Sequence, residues 1–376
     1  MKHRLESIRK RLDAIKKQGL YRELSLNRVS GQHIIFGNRR LVNLSSNDYL
    51  GLGTTTHSRA QMQSSSRLVS GNDRLFEKLE SRLARHKSQE QSLVFPTGYM
   101  ANLGIISILP QKGDLILSDE LNHASIIDSC KLSSACRSIY KHNDMQDLGR
   151  KIRDRKGNKF VITEGIFSMN GDFARLDEIT ELCSKHGAYL ILDDAHGDFV
   201  AGTDGRGSAS HFGVAKMVDV YISSLSKGLG AFGGYASSRR EIIDLAINTS
   251  RSFIYTSALP NFLVQAAIEK FDSAREQKRA RLWKNTELVR KGLASLGYEI
   301  DSPSQIIPIV LGPEKRAVDF GRYLFENGVF AQPIRYPTVA RGRARIRISV
   351  TAWLSRDKIE RSLDVFERAG KKFGIT

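Results

Sequence analysis

Lys227 stands in SLSKGLGAFGGY, a small, glycine-rich turn that follows the apolar run VDVYI. A lysine there is either a surface cation or an amine able to form a Schiff base. The second role needs the amine accessible and partly desolvated, so that a fraction of it is neutral. Asp193 and His196 lie in DDAHG, directly after YLIL. A carboxylate leaving an apolar strand is costly unless it meets a cation. A protonated pyridine nitrogen is such a cation, and the pairing would keep its ring an electron sink. A structural Asp–His pair or metal ligation are the other readings, but no HExxH-like partner accompanies them, and no metal is expected. His196 is placed to reach a phenolic oxygen on the same ring.

Gly98 and Tyr99 fall where SLVF passes into a helical pattern. Exposed N–H groups at such a junction can hold a phosphate; the alternative is a plain turn glycine. Ser224 and Ser226 add hydroxyls beside Lys227, and His123 in LNHAS either stacks on an aromatic cofactor or merely starts a helix. Gly228, Gly230 and Gly233 spell GxGxxG. A dinucleotide fingerprint needs a strand just before and a helix opening on the loop. Here a lysine precedes the motif and FGGYAS reads as a strand, so the motif is set aside.

These residues need a scaffold. From about residue 73 to 236, helical patterns alternate with short apolar strands: NDRLFEKLESRLARHK as a helix, then SLVF, DLILS, KFVITE, AYLILDD and DVYISS as strands, with the helix LDEITELCSKHG ending at Gly187. Alternation of this kind predicts right-handed βαβ units and a mostly parallel sheet. In such a sheet ligands sit beyond the strands' carboxyl ends, where FPTGYMAN, TEGIFSMNGD, DDAHG and SSLSKGLGAFGGY all fall. A basic amphipathic helix is expected over 2–24, with Leu5, Ile8, Leu12 and Ile15 on its apolar face, then strands HIIF and LVNLSS. A long helix is expected over roughly 260–296. The remainder, with strands IIPIVL and RARIRISV, predicts a smaller α/β layer. In RARIRISV, Arg343, Arg345 and Arg347 alternate with Ile346, Ile348 and Val350, which predicts one buried face.

The 376 residues suggest two or three domains. Hydrophobic residues are 40% and charged residues 26%, a globular balance rather than a disordered one. No apolar run approaches the ~18 residues of a membrane span, and the basic N-terminus has no apolar core of a secretory signal. Lysine and arginine total 58 against 40 acids, a formal +18. The surplus favours anions: nucleic acid, phosphorylated cofactors or coenzyme A. Most of the charge lies in helix-like runs whose ordinary explanation is a solvated face. Three cysteines, with no CxxC and no zinc spacing, fit a reducing, cytoplasmic setting.

Taken in order, SSNDYLGL, SRLVSGN, LNHASIID, HND, TEGIFSMNGD, DDAHG, GRGS, SLSKGLGAFGGY, FIYTSALP and IRYPTVARGRARIR cover nearly the whole chain. In these strings the sequence resembles the α-oxoamine synthase family, pyridoxal-phosphate enzymes of the type I, aspartate-aminotransferase-like fold. The resemblance implies an N-terminal helix and arm (1–45), a large cofactor-binding α/β domain (46–265) and a smaller C-terminal α/β domain (266–376). Within the family the chain is most similar to members of the biotin pathway, which condense L-alanine with a pimeloyl thioester of coenzyme A or a carrier protein, releasing carbon dioxide and the thiol. HND, AFGGY and IRYPTV with Arg335 carry that likeness. The alternatives are the glycine-using ligase, 5-aminolevulinate synthase or, from another class, a non-catalytic basic binding protein on the same fold.

The resemblance also implies roles. Lys227 forms the Schiff base with pyridoxal 5′-phosphate and moves protons at the α-carbon. Asp193 pairs with the pyridinium nitrogen, His196 contacts the ring oxygen and His123 stacks on the ring. Gly98, Tyr99 and Ser224 hold the cofactor, with Ser168 near its ring. Arg347 binds the amino-acid carboxylate, or else belongs to an ordinary basic strand face. Arg22 and Thr338 touch the acyl substrate. Family members are homodimers, and Thr256 and Ser257 would reach the neighbour's phosphate; no membrane and no nucleic acid are expected as partners. Two departures stand out. The 54–66 segment is shorter than the family's and lacks its glycine-rich turn, and Asn170 replaces a common aspartate.

Overall fold

The computed structural model describes residues 13–14, 16–18, 28–52, 65–153 and 157–376. Most of the helix expected over 2–24, and most of the shortened 54–66 segment, lie outside the described residues. Two compact units emerge. The larger holds Asn47–Ser168 and Asp172–Ala280; the smaller holds Met169–Gly171, Arg281–Thr376 and the described residues up to Ser46.

In chain order the strands are β1 (Arg28–Ser30), β2 (His33–Phe36), β3 (Arg39–Asn43), β4 (Gln91–Phe95), β5 (Leu115–Asp119), β6 (Cys136–Tyr140), β7 (Lys159–Glu164), β8 (Tyr189–Asp193), β9 (Val220–Ser224), β10 (Gly234–Ser238), β11 (Ile306–Gly312), β12 (Val329–Phe330), β13 (Gln332–Ile334) and β14 (Ala344–Ser349).

The larger unit is built on one sheet of order β4-β10-β9-β8-β7-β5-β6 among the described residues. Strand β10 runs antiparallel to both β4 and β9, and the other pairings are parallel. Because β10 reverses twice over, β4 ends on the same edge as β7, β8 and β9. All four polar clusters therefore meet at one edge of the sheet. Alternate residues of each strand feed opposite cores. Phe160 and Ile162 pack with Ile191, Ala101, Ile105 and Ile126 on one face. Val161 packs with Leu190, Leu192, Leu176 and Ile179 on the other. Both faces are covered, which is why these strands read as unbroken apolar runs. The helix Leu176–His186 stops where expected, with Gly187 in the left-handed region at φ 59°.

The smaller unit has a sheet β1-β2-β3-β12, in which β3 and β12 pair parallel, and an antiparallel sheet β11-β14-β13. Two expectations are corrected. Strand β14 is buried on both faces, with Arg345 at 7% and Arg347 at 8% exposure. Their guanidinium groups donate hydrogen bonds within the smaller unit. Arg345 donates to the Met169 carbonyl (3.3 Å) and to Asn170 Oδ1, and Arg347 donates to Ser349 Oγ (2.8 Å). Alternation separates two faces but does not tell water from a buried polar layer. The helix expected over 260–296 is two helices, Asn261–Phe271 and Glu276–Ser295. The first ends where the Ser273 hydroxyl donates back to the Lys270 carbonyl at 2.7 Å, a local bond that competes with helix continuation. No helix among the described residues is long and apolar enough to cross a membrane.

Candidate active site

A cavity of about 190 Å³ opens at the carboxyl ends of β7, β8 and β9, whose last residues Glu164, Asp193 and Ser224 all line it. Lys227, three residues beyond β9, reaches into it. Gly228, the next residue, packs so tightly that a Cβ there would lie 2.4 Å from the Asp198 carbonyl oxygen. That contact fixes the base of the Lys227 side chain against the turn after β8.

The Lys227 amine lies 2.8 Å from His196 Nε2. His196 Nδ1 lies 2.7 Å from the Tyr49 hydroxyl, which donates to Asn47 Oδ1 at 3.1 Å. One tautomer satisfies this chain. With the Lys227 amine as donor, Nε2 accepts, and Nδ1 carries the proton and donates to the Tyr49 oxygen.

Asp193 accepts from Asn102 Nδ2 (2.6 Å) and from the Ala195 N–H (3.0 Å). Asn102 also donates to Ser125 Oγ (2.9 Å), which lies 2.8 Å from His123 Nδ1. The Ser125 N–H donates to the same ring nitrogen at 3.2 Å. Burial lowers the His123 pKa, and the Lys227 charge lowers it further against the pull of Asp193. A neutral imidazole is the result, with an unprotonated Nδ1.

Glu164 is buried beside Asp193, and burial first, then that neighbouring charge, push its pKa up to about 8, although Lys227 pulls the other way. Its Oε1 has no hydrogen-bond partner among the described residues. This is a carboxyl group held protonated at neutral pH and lining the cavity.

The fourth wall is the start of the helix Gly98–Ile106, capped by Thr97, whose hydroxyl accepts from the Met100 N–H at 3.1 Å. Gly234 lets this helix start close on β10: a Cβ at Gly234 would fall 2.4 Å from the Gly98 nitrogen. Ser224 Oγ pairs with Ser226 Oγ at 2.8 Å on the same side. Helix N–H groups and hydroxyls thus converge as anion donors. Asn102, four residues on, holds Asp193 about 6 Å further along the helix axis. The donor set fits a ligand with an anionic group at one end, a ring cation at the other and an electrophile for an amine between them.

A larger cavity of about 670 Å³, in the smaller unit, is lined by Arg40, Lys358, Arg361 and Arg368 among others. Asp364, Ser362 and His33 also line it, but none of the polar clusters at the strands' carboxyl ends does, so the smaller cavity, where Lys227, Asp193 and Glu164 meet, is the candidate site. No group of three or more His, Cys, Asp or Glu side chains among the described residues could hold a metal ion.

A sequence model described as aminotransferase class I and II matches residues 39–366. The chain belongs to the aminotransferase class I and II family. It is similar to the 8-amino-7-oxononanoate synthase of Thermoanaerobacter pseudethanolicus, with 41% identity covering 99% of each chain. Among solved structures it is similar to a serine palmitoyltransferase from S. paucimobilis with a bound pyridoxal-phosphate adduct, at TM-score 0.92 and 26% identity over 100% of this chain and 99% of that one. It is also similar to the 8-amino-7-oxononanoate synthase of Francisella tularensis, at TM-score 0.75 and 29% identity over 88% and 98%. The fold expected from the sequence is therefore the one found.

In this aminotransferase-family chain, the larger unit brings together Lys227, His196, Asp193, His123, Gly98, Tyr99 and Ser224. The Tyr99 hydroxyl donates to Asp128 Oδ2, and its ring meets the His123 ring edge-on at 6.5 Å. Ser168 is buried, and its backbone N–H bonds the Glu164 carboxyl. Ser257 lies apart, exposed beside a small separate cavity lined by Arg67 and Phe95. Arg347 is buried in β14 and Thr338 is exposed, both in the smaller unit; Arg22 lies outside the described residues. Tyr49, Asn102 and Glu164 were not singled out from the sequence. Tyr49 and Glu164 sit inside strings that carry the resemblance, whereas Asn102 lies in FPTGYMAN, one helical turn after Gly98, the available signal for it.

Proposed function

We propose that this chain condenses L-alanine with a pimeloyl thioester to form 8-amino-7-oxononanoate, releasing carbon dioxide and the carrier thiol, with pyridoxal 5′-phosphate as its cofactor. The full-length 41% identity to a curated synthase of that name carries the reading. The cavity supports it. Anion donors at Gly98, Tyr99 and Ser224, a buried carboxylate at Asp193 and an amine at Lys227 suit the phosphate, ring nitrogen and aldehyde of that cofactor.

Bound there, pyridoxal phosphate supplies an electron sink for the α-carbon of alanine. The chain supplies the rest. Lys227 anchors the cofactor through Nζ and later carries the α-proton on the same atom. Asp193, steadied by Asn102, keeps the ring nitrogen protonated. His196 aims Lys227 and, with its Nδ1 proton committed to Tyr49, presents Nε2 to the ring oxygen. Neutral His123 covers the ring face, held by Ser125. Arg347 grips the alanine carboxylate, and Arg22 and Thr338 receive the acyl chain. Orientation of the reacting bonds is the protein's main contribution.

The same reading makes the protein a cytoplasmic homodimer, consistent with three free cysteines and with exposed Ser257 and its neighbour Thr256 reaching the partner's phosphate end. The test is a competition on purified protein. Alanine with pimeloyl-CoA or its carrier-protein thioester should yield the amino-ketone, one carbon dioxide and one free thiol. Preferential turnover of glycine with acetyl-CoA or succinyl-CoA, or of serine with a long-chain thioester, would move the chain to a sister activity.

A further inference from the structure

Lys87 ends the helix Arg74–Lys87 and is buried at 3% exposure. Its ammonium lies 2.7 Å from Asp198 Oδ1 and 3.2 Å from Asp194 Oδ2, and it donates to the Arg206 carbonyl at 2.8 Å. Asp198 also accepts from Ser223 Oγ (2.8 Å) and the Tyr235 hydroxyl (2.5 Å), and lies 2.9 Å from His86 Nε2. Asp194 accepts the Ser208 N–H at 3.1 Å. All of the acids and bases in this cluster are buried.

The turn after β8 therefore has two sides. Asp193 and His196 serve the cavity, while Asp194 and Asp198 serve the cluster behind it. The turn is also strained. Phe199 sits at φ 64°, a left-handed value that a bulky side chain adopts only at a cost, and its ring stacks on His86 at 4.6 Å. The Asp198 carbonyl is the atom against which Gly228, next to Lys227, is packed. A displacement of Asp198 would thus move the base of Lys227 and the ring of His196 relative to each other.

Charge explains what holds it. Burial alone disfavours the Lys87 ammonium, but Asp198 and Asp194 outweigh burial and keep it charged. Burial lowers His86, so Lys87 is the cluster's cation. Remove it and Asp194 and Asp198 lose the cation that touches both, leaving only the more distant Arg275 charge acting on Asp198.

We propose that Lys87 is a positioning residue for the reaction: by clamping Asp194 and Asp198 on the back of the turn, it sets His196 against Lys227. The proposal rests on the function given above.

The test compares Lys87→Met, Asp198→Asn and the double variant with the unaltered full-length enzyme loaded with pyridoxal phosphate. Lys87→Met should lower kcat about 10²-fold, the scale of a misplacement near 1 Å. The KM for alanine should stay within about threefold, since no substrate contact is lost. The pH midpoint of the cofactor's absorbance should shift by at least about half a unit, because the Lys227 environment changes. The double variant should recover about tenfold of the lost kcat, because one of the two like charges that Lys87 held apart is gone. Wild-type kcat and an unmoved midpoint in folded Lys87→Met overturn the proposal. Should that variant not fold, the same result in Asp198→Asn and the double variant overturns it. Absence of condensation by the unaltered enzyme sinks the function instead, and leaves the spectral comparison standing.

Discussion

Tyr49 and Lys227 address opposite nitrogens of one imidazole: the phenol lies 2.7 Å from His196 Nδ1 and the amine 2.8 Å from Nε2. Tyr49 is fully buried, so its hydroxyl serves this network rather than solvent. A side chain nearly 150 positions earlier (|i−j| = 147) thereby decides which His196 nitrogen faces the amine.

Tyr49→Phe leaves the His196 Nδ1 proton without that acceptor. The expected cost is about 1–3 kcal/mol in urea unfolding of the cofactor-free protein. The loaded enzyme should lose about tenfold in kcat as the tautomer relaxes. Equal stability and an unchanged pH–rate profile would remove Tyr49 from the site.

Lys227→Ala should give a protein that folds, stays colourless with pyridoxal phosphate and loses at least about 10³-fold in turnover. The unaltered protein should absorb near about 420 nm and lose that band on borohydride reduction. A Lys227→Ala variant that keeps the band would mean another amine holds the cofactor.

Glu164 gives a pH signature in the cofactor-free protein. Its folded pKa is raised from 4.5 to about 8, so the folded state holds a proton that the unfolded chain releases earlier. The associated stability is full below about pH 4.5 and is lost as pH rises through about 8. Glu164→Gln should flatten that decline, gaining on the unaltered protein between pH 5 and about 8.5. Parallel stability curves across this window would show that Glu164 titrates normally.

His142 shifts in the same direction as Glu164 and loses its contribution the same way, at higher pH. Burial alone would lower it, but Asp119 at 2.9 Å and Asp172 at 2.6 Å raise its pKa to about 10. Its contribution is full below pH 6.5 and is lost as pH rises through about 10. After discounting for solvent screening, His142→Gln should cost about 2 kcal/mol at pH 6 and much less above pH 10. Denaturation at both pH values checks it; a penalty that is larger at high pH contradicts the assignment.

Much of the larger unit was legible because parallel strands buried on two faces are continuous apolar runs, and their carboxyl ends carry the polar strings. KFVITE, YLILD and VYISS announce both the sheet and the position of Asp193 and Ser224. Tyr49 and Asn102 were not legible as site residues, because their roles come from pairings 147 and 91 positions away in the chain. Glu164 was hidden for another reason: a strand-end glutamate gives no sign that one of its buried carboxyl oxygens will lack a partner. The arginines of β14 were misread as a solvent face, since period-two alternation is the same whether the polar side meets water or half-buried Asn170 and buried Ser349. The break at Asp272–Arg275 was invisible to periodicity because the apolar spacing runs on past it while the Ser273 hydroxyl turns back to the Lys270 carbonyl.

Strand β10 reverses beside β9, with Gly234 in register opposite Ser224. Across the gap, the Leu225 N–H donates to the Gly233 carbonyl at 3.0 Å and the Ala231 N–H to the Leu225 carbonyl at 2.8 Å. Lys227 is therefore mounted on a span with both feet bolted to one floor. Travel of its nitrogen has to come from the four-carbon stem alone. Reach becomes a matter of side-chain length, and an amine one methylene shorter would be left stranded on an otherwise intact mount.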